Sequence, residues 1–137
     1  MPFKVEFIQD SEKNLPPLLH NTFSDYITTN EVLQSVQQTI DILDKQKEPI
    51  DVVAIFEKGS SMLGAKDILF HSSLIDQFTW HPKLAELFAV ELNKGLYGSF
   101  IRTILNMAKN RPALKVTVFA KLKALDEYLD KKYQHSR

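Results

Sequence analysis

Hydrophobic positions along this chain change period several times, and each change marks an element. From Phe3 to Ile8 apolar and charged residues alternate, with Phe3, Val5 and Phe7 on one side and Lys4 and Glu6 on the other. A period of two predicts a strand with one covered face. Asp10 to Pro17 follows, with turn formers and two prolines. Leu18 to Phe23 then predicts a second strand. It runs antiparallel to the first, because so short a connection cannot hold a crossover. Thr28-Thr29-Asn30-Glu31 is a capping box, in which hydroxyl and carboxylate each take a free backbone amide. The period now lengthens. Val32, Leu33, Val36, Ile40 and Leu43 form the stripe of a helix that runs to about Lys45.

Val52 to Phe56 is apolar without alternation, the signature of a central strand covered on both faces. Glu57 to Gly64 reads as its exit loop. Residues 65–78 predict a second helix with Ile68, Leu69, Leu74, Ile75 and Phe78 inward, broken by Trp80-His81-Pro82. Leu84 to Leu92 predicts another strand. Gly98-Ser99 opens a third helix that buries Phe100, Ile101, Ile104, Leu105 and Ala108, and Arg111-Pro112 ends it. Ala113 to Phe119 predicts the last strand, and Lys121 to Leu129 an amphipathic helix lying back over the sheet. The expected order is ββαβαβαβα. Right-handed crossovers make the later strands parallel, so the product is an α/β fold with a mixed sheet of about five strands. No linker or low-complexity stretch divides the 137 residues, which are read as a single domain, 1–137.

Composition narrows the chemistry. The absence of cysteine removes disulfides, thiolate zinc sites and cysteine nucleophiles together. No apolar run approaches the ~20 residues that span a bilayer, and the N-terminal stretch lacks the apolar segment of a signal peptide. The expected location is cytoplasmic. Net charge is zero but uneven: residues 1–70 carry 6 Lys/Arg against 11 Asp/Glu, and residues 71–137 carry 11 against 6. The basic half is too sparse, and its aromatics too committed to the core, to predict nucleic-acid binding. The opposed halves and the hairpin edge do suggest a homodimer.

Three stretches carry a resemblance. Phe23-Ser24-Asp25-Tyr26-Ile27-Thr28-Thr29-Asn30-Glu31, Leu87-Phe88-Ala89-Val90, and Phe119 followed by Ala124, Tyr128 and Leu129 are similar to segments of the SpoIIAA-like, or STAS-like, superfamily. That superfamily includes anti-sigma-factor antagonists and is related to Sec14-type lipid-binding domains. The resemblance implies a SpoIIAA-like fold and a regulatory module that binds another protein, switched at a serine loop. The loop matching the switch is Glu57 to Gly64.

Candidate sites follow from this frame. Ser60, Ser61, Met62, Leu63 and Gly64 lie beyond the carboxyl end of the central strand, where crevices of α/β sheets sit. A phosphate there would add about −1.5 to −2 charges at a helix start. Leu69, Phe70, Leu74, Phe78, Trp80 and His81 are candidates for a ligand pocket or an interface, since an amphipathic indole suits either. Lys94, Ser99 and Arg102 are candidate anion contacts beside the Gly95–Gly98 turn, which lacks the Gly-Lys-Ser/Thr ending of a phosphate loop. The histidines have no metal-ligand spacing, so neither metal nor cofactor is expected. The expected function is a non-enzymatic regulatory or protein-interaction module. The alternatives are a carrier or sensor of a small apolar, lipid-like ligand, and a serine hydrolase that pairs Ser61 with His81.

Overall fold

The structure, a computed structural model, describes residues 3–8, 17–24, 26–57, 61–62, 72–91 and 114–134. In chain order its elements are β1 (Phe3–Ile8), β2 (Leu18–Phe23), β3 (Tyr26–Ile27), α1 (Thr29–Asp44), β4 (Ile50–Phe56), β5 (Ser61–Met62), α2 (Ser72–Thr79), β6 (Leu84–Glu91), β7 (Lys115–Phe119) and α3 (Leu122–Gln134). Five strands form one mixed sheet in the order β1-β2-β4-β6-β7. β1 is antiparallel to β2, with Phe3 opposite Phe23 and Ile8 opposite Leu18. The remaining joints are parallel. The α/β class, the leading hairpin and the mixed sheet agree with the periods read from the sequence.

The exit loop predicted from Glu57 to Gly64 is partly strand. Ser61 and Met62 pair in parallel with Tyr26 and Ile27 as a separate two-stranded sheet. The Glu57 amide still donates to the Phe23 carbonyl at 2.9 Å, so β3 and β5 resume the β2–β4 pairing after a break. Two residues are too few to show a period of two, which is why the pattern missed them. The predicted helix over 65–78 is described only as Ser72–Thr79, and the predicted third helix lies outside the described residues. α3 runs to Gln134, five residues beyond the predicted Leu129.

β4 divides the core in two. Ile50, Val52 and Phe56 pack with Val32, Val36, Ile40 and Leu43 of α1 and with Ile75 and Phe78 of α2. Val53 and Ile55 point the other way and pack with Phe88 and Val90 of β6 and with Leu125, Leu129 and Tyr133 of α3. The β2→β4→β6 steps run in one direction. Crossovers of one hand therefore put α1 and α2 on the same face and leave the other face to α3. Thr28 starts α1 as its capping box predicted: the Glu31 amide donates to Thr28 Oγ1 at 3.2 Å, and the Thr28 amide donates to Glu31 Oε1 at 3.0 Å.

Candidate functional site

α1 and α2 both end at the edge of the sheet where β4 and β6 begin. The turn after α2 is held by its own backbone: the Trp80 amide donates to Asp76 O at 2.9 Å, and the His81 amide to Phe78 O at 3.2 Å. The Ile50 amide then donates to Lys83 O at 2.8 Å and ties the turn to β4. His81 is buried, whereas Trp80 remains 49% exposed. His81 Nδ1 accepts from the Lys83 amide at 3.0 Å, so the ring proton of the neutral imidazole sits on Nε2. Nε2 lies 2.6 Å from Asp44 Oδ1, on the last residue of α1. Ile40, Asp44, Gln77, Trp80, His81 and Lys83 line an open groove of about 520 Å³.

A second polar cluster lies under α3. Asp51, buried near the start of β4, receives Lys132 Nζ at 2.9 and 2.8 Å and Tyr133 Oη at 2.8 Å. Lys132 also pairs with Glu86 Oε1 at 2.9 Å. Tyr128 Oη lies 3.4 Å from Glu86 Oε2 and accepts from Lys115 Nζ at 2.7 Å. An irregularity in the β4–β6 register, where Ile50 faces Leu84 but Val52 faces Leu87, gives β6 one extra residue. A bulge of this kind re-aims side chains. Here it leaves both Leu84 and Leu87 in the first core while Glu86 meets Lys132 under α3.

Burial works against the Lys132 charge, but the hydrogen bonds that the ammonium donates to Asp51 and Glu86 outweigh it and hold it above the usual lysine value. Burial and then the Asp51 carboxylate push the Tyr133 phenol far up. Burial pulls the His20 imidazole down, against the opposing pull of Glu6 on β1 and Asp126 on α3. The carboxylates of Asp51 and Glu86 both meet groups of α3. These contacts fasten α3 to the sheet.

The predicted residues separate. Trp80 and His81 come together at the groove. Phe78 is buried in the first core and the partly buried Leu74 packs against it. Ser61 and Met62 lie in β5, past the far end of β4. His81 lies beside the start of β4 and Ser61 follows its end, so the two stand at opposite ends of that strand. Ser60, Leu63, Gly64, Leu69, Phe70, Lys94, Ser99 and Arg102 lie outside the described residues. Among the described residues there is no group of three or more metal-ligating side chains, and no helix is long and apolar enough to cross a membrane.

The sequence reading missed Asp44 and the whole Asp51 cluster. Asp44 lies 37 residues from His81, and Asp51 lies 81 from Lys132, so no local motif joins them. The stripe of Leu125, Leu129 and Tyr133 at intervals of four was the available signal that α3 continues. The chain matches no protein-family model, no curated protein and no solved structure with which it was compared.

Proposed function

We propose that this protein is a non-enzymatic protein-interaction module of the STAS-like type, and that the groove beside Trp80 is where it meets its partner. The observation that carries this reading is the half-exposed indole on the rim of an open groove whose floor is fixed by His81 and Asp44. Tryptophan is among the residues that dominate binding energy at protein interfaces, where its apolar ring and its N–H donor are both used. The mixed sheet with its leading hairpin supports the STAS-like part of the reading. The separation of Ser61 from His81 favours binding over hydrolysis. The commitment of Leu74 and Phe78 to the core favours an interface over a lipid carrier. The serine segment Ser60–Gly64 is a second contact in this proposal. Ser61 follows the end of β4 and the groove lies beside its start, so a phosphate there would act on a contact of its own.

The test is quantitative affinity capture of a partner by wild type and by Trp80→Ala. A hot-spot tryptophan is worth at least about 2 kcal/mol, so the variant is expected to lose more than about tenfold in binding. A partner retained equally by both forms would remove the groove from the reading.

A further inference from the structure

We propose that the groove beside Trp80 recognises a guanidinium, an arginine side chain presented by a protein partner. The inference rests on the interaction reading above and names the chemistry of the occupant.

Three independent features converge on a cation. The first is backbone charge. α1 ends at Asp44 and α2 at Thr79, both beside the groove. Each carboxyl terminus brings a partial negative charge that attracts a cation, and neither helix carries a basic residue in its last turn. The second is an aimed carboxylate. Asp44 Oδ1 is held by His81 Nε2 at 2.6 Å, and His81 is itself held by the Lys83 amide at 3.0 Å. The Asp44 side chain is nevertheless 61% exposed, and its Oδ2 meets no donor among the described residues. The third is the exposed face of Trp80, the best aromatic side chain for a cation–π contact.

The groove's own cation is already engaged. Lys83 Nζ donates to the Lys47 carbonyl at 2.7 Å, and Asp44 forms no ion pair with lysine or arginine among the described residues. Lys45 and Lys47 follow Asp44 along the chain, are exposed, and do not line the groove. Arginine fits better than lysine because a planar guanidinium stacks on an indole while its N–H fork reaches a carboxylate. A side chain from a protein fits better than a free small molecule, because the groove is open, whereas small-molecule sites enclose most of their ligand.

Trp80 is the only tryptophan in the chain, so intrinsic fluorescence reports on this groove. The probe is acetyl-Gly-Arg-Gly-amide. The control is the same tripeptide with citrulline, which keeps the shape and removes the charge. The arginine peptide is expected to change the emission saturably and the citrulline peptide to leave it unchanged. Asp44→Asn retains an oxygen for His81 but loses the charge. It is expected to weaken the arginine peptide by about tenfold or more, the loss of one charge-assisted hydrogen bond. Should that variant misfold by circular dichroism, a salt titration of wild type decides the matter, since added salt is expected to weaken the response. No response to the arginine peptide, an equal response to citrulline, or indifference to both Asp44→Asn and salt would overturn the proposal. If the peptide fails while partner capture still depends on Trp80, the interaction reading stands and the guanidinium is wrong. If capture is also indifferent to Trp80, both fall.

Discussion

Under α1 and α2 the sheet meets side chains that are almost all apolar, with one neutral pair among them: the Asn21 amide donates to Thr39 Oγ1 at 3.0 Å. Under α3 the same central strand presents Asp51 next to Val53 and Ile55, and the helix answers with Lys132 and Tyr133. The first face is held by burial, which is roughly proportional to area and indifferent to direction. The second is held partly by charged hydrogen bonds, which depend on direction. Lys132 reaches two carboxylates while Tyr133 reaches one of them, and a shift of α3 along its axis would lengthen these contacts. Charge here selects a position for the helix, and the apolar stripe beneath it supplies the adhesion.

That contrast can be broken most severely on the apolar side. Phe56 is buried and stacks on Phe23 at 5.1 Å between ring centroids. Phe56→Ala is expected to cost about 4 kcal/mol in urea unfolding. A loss below about 1 kcal/mol would mean that the first face can collapse around the gap. On the charged side, Asp51→Ala removes the acceptor of Tyr133 Oη and one of the two carboxylates that Lys132 meets, and is expected to cost about 3 kcal/mol, less for the part of Lys132 that water reaches. The sharper measurement is the double-mutant cycle with Lys132→Met. Members of one network couple by about 0.5–3 kcal/mol, so the double variant should lose less than the sum of the singles. Strict additivity would show that the cluster does not act as a unit.

The smallest effect is the response to pH, which belongs to the α3 side. Lys132 and Tyr133 are raised in the folded protein. Their contribution is complete below their ordinary values near pH 10 and is lost as pH rises through the folded ones. His20 is lowered. Its contribution is present above its ordinary value of about 6.5 and is lost as pH falls through the folded one. Stability is therefore expected to fall off on both sides, above about pH 10 and below about pH 6.5. His20→Gln should flatten the fall between pH 6.5 and the onset of carboxylate protonation. An unchanged acid profile in that variant would place the dependence elsewhere.

Much of this contrast can be traced to local pattern. The unbroken apolar run in Val52–Phe56 predicted a strand covered on both faces, and Thr28 with Glu31 predicted where α1 begins, because each signal is complete within a few residues. What the pattern could not show is register. The extra residue in β6 decides that Glu86 faces α3, and no spacing within Leu84–Glu91 announces it. Asp51 reads locally as a polar start to a strand, since its partners lie 81 and 82 residues further on. At the groove, Trp80 and His81 were visible as an aromatic turn after a helix. Asp44 was hidden as one more polar residue on the solvent side of α1.

The position of α3 in the chain also sets an order of events. Every strand of the five-stranded sheet precedes it, and each parallel strand lies beside the one made before it. α1 and α2 can therefore close the first face as the chain lengthens. On the second face, Val53, Ile55, Phe88 and Val90 wait for Leu125, Leu129 and Tyr133, the buried helix residues that pack on them. During that interval the nascent protein carries an apolar sheet surface open to other chains, the kind of surface that chaperones shield. Docking of α3 is then the step that covers this face.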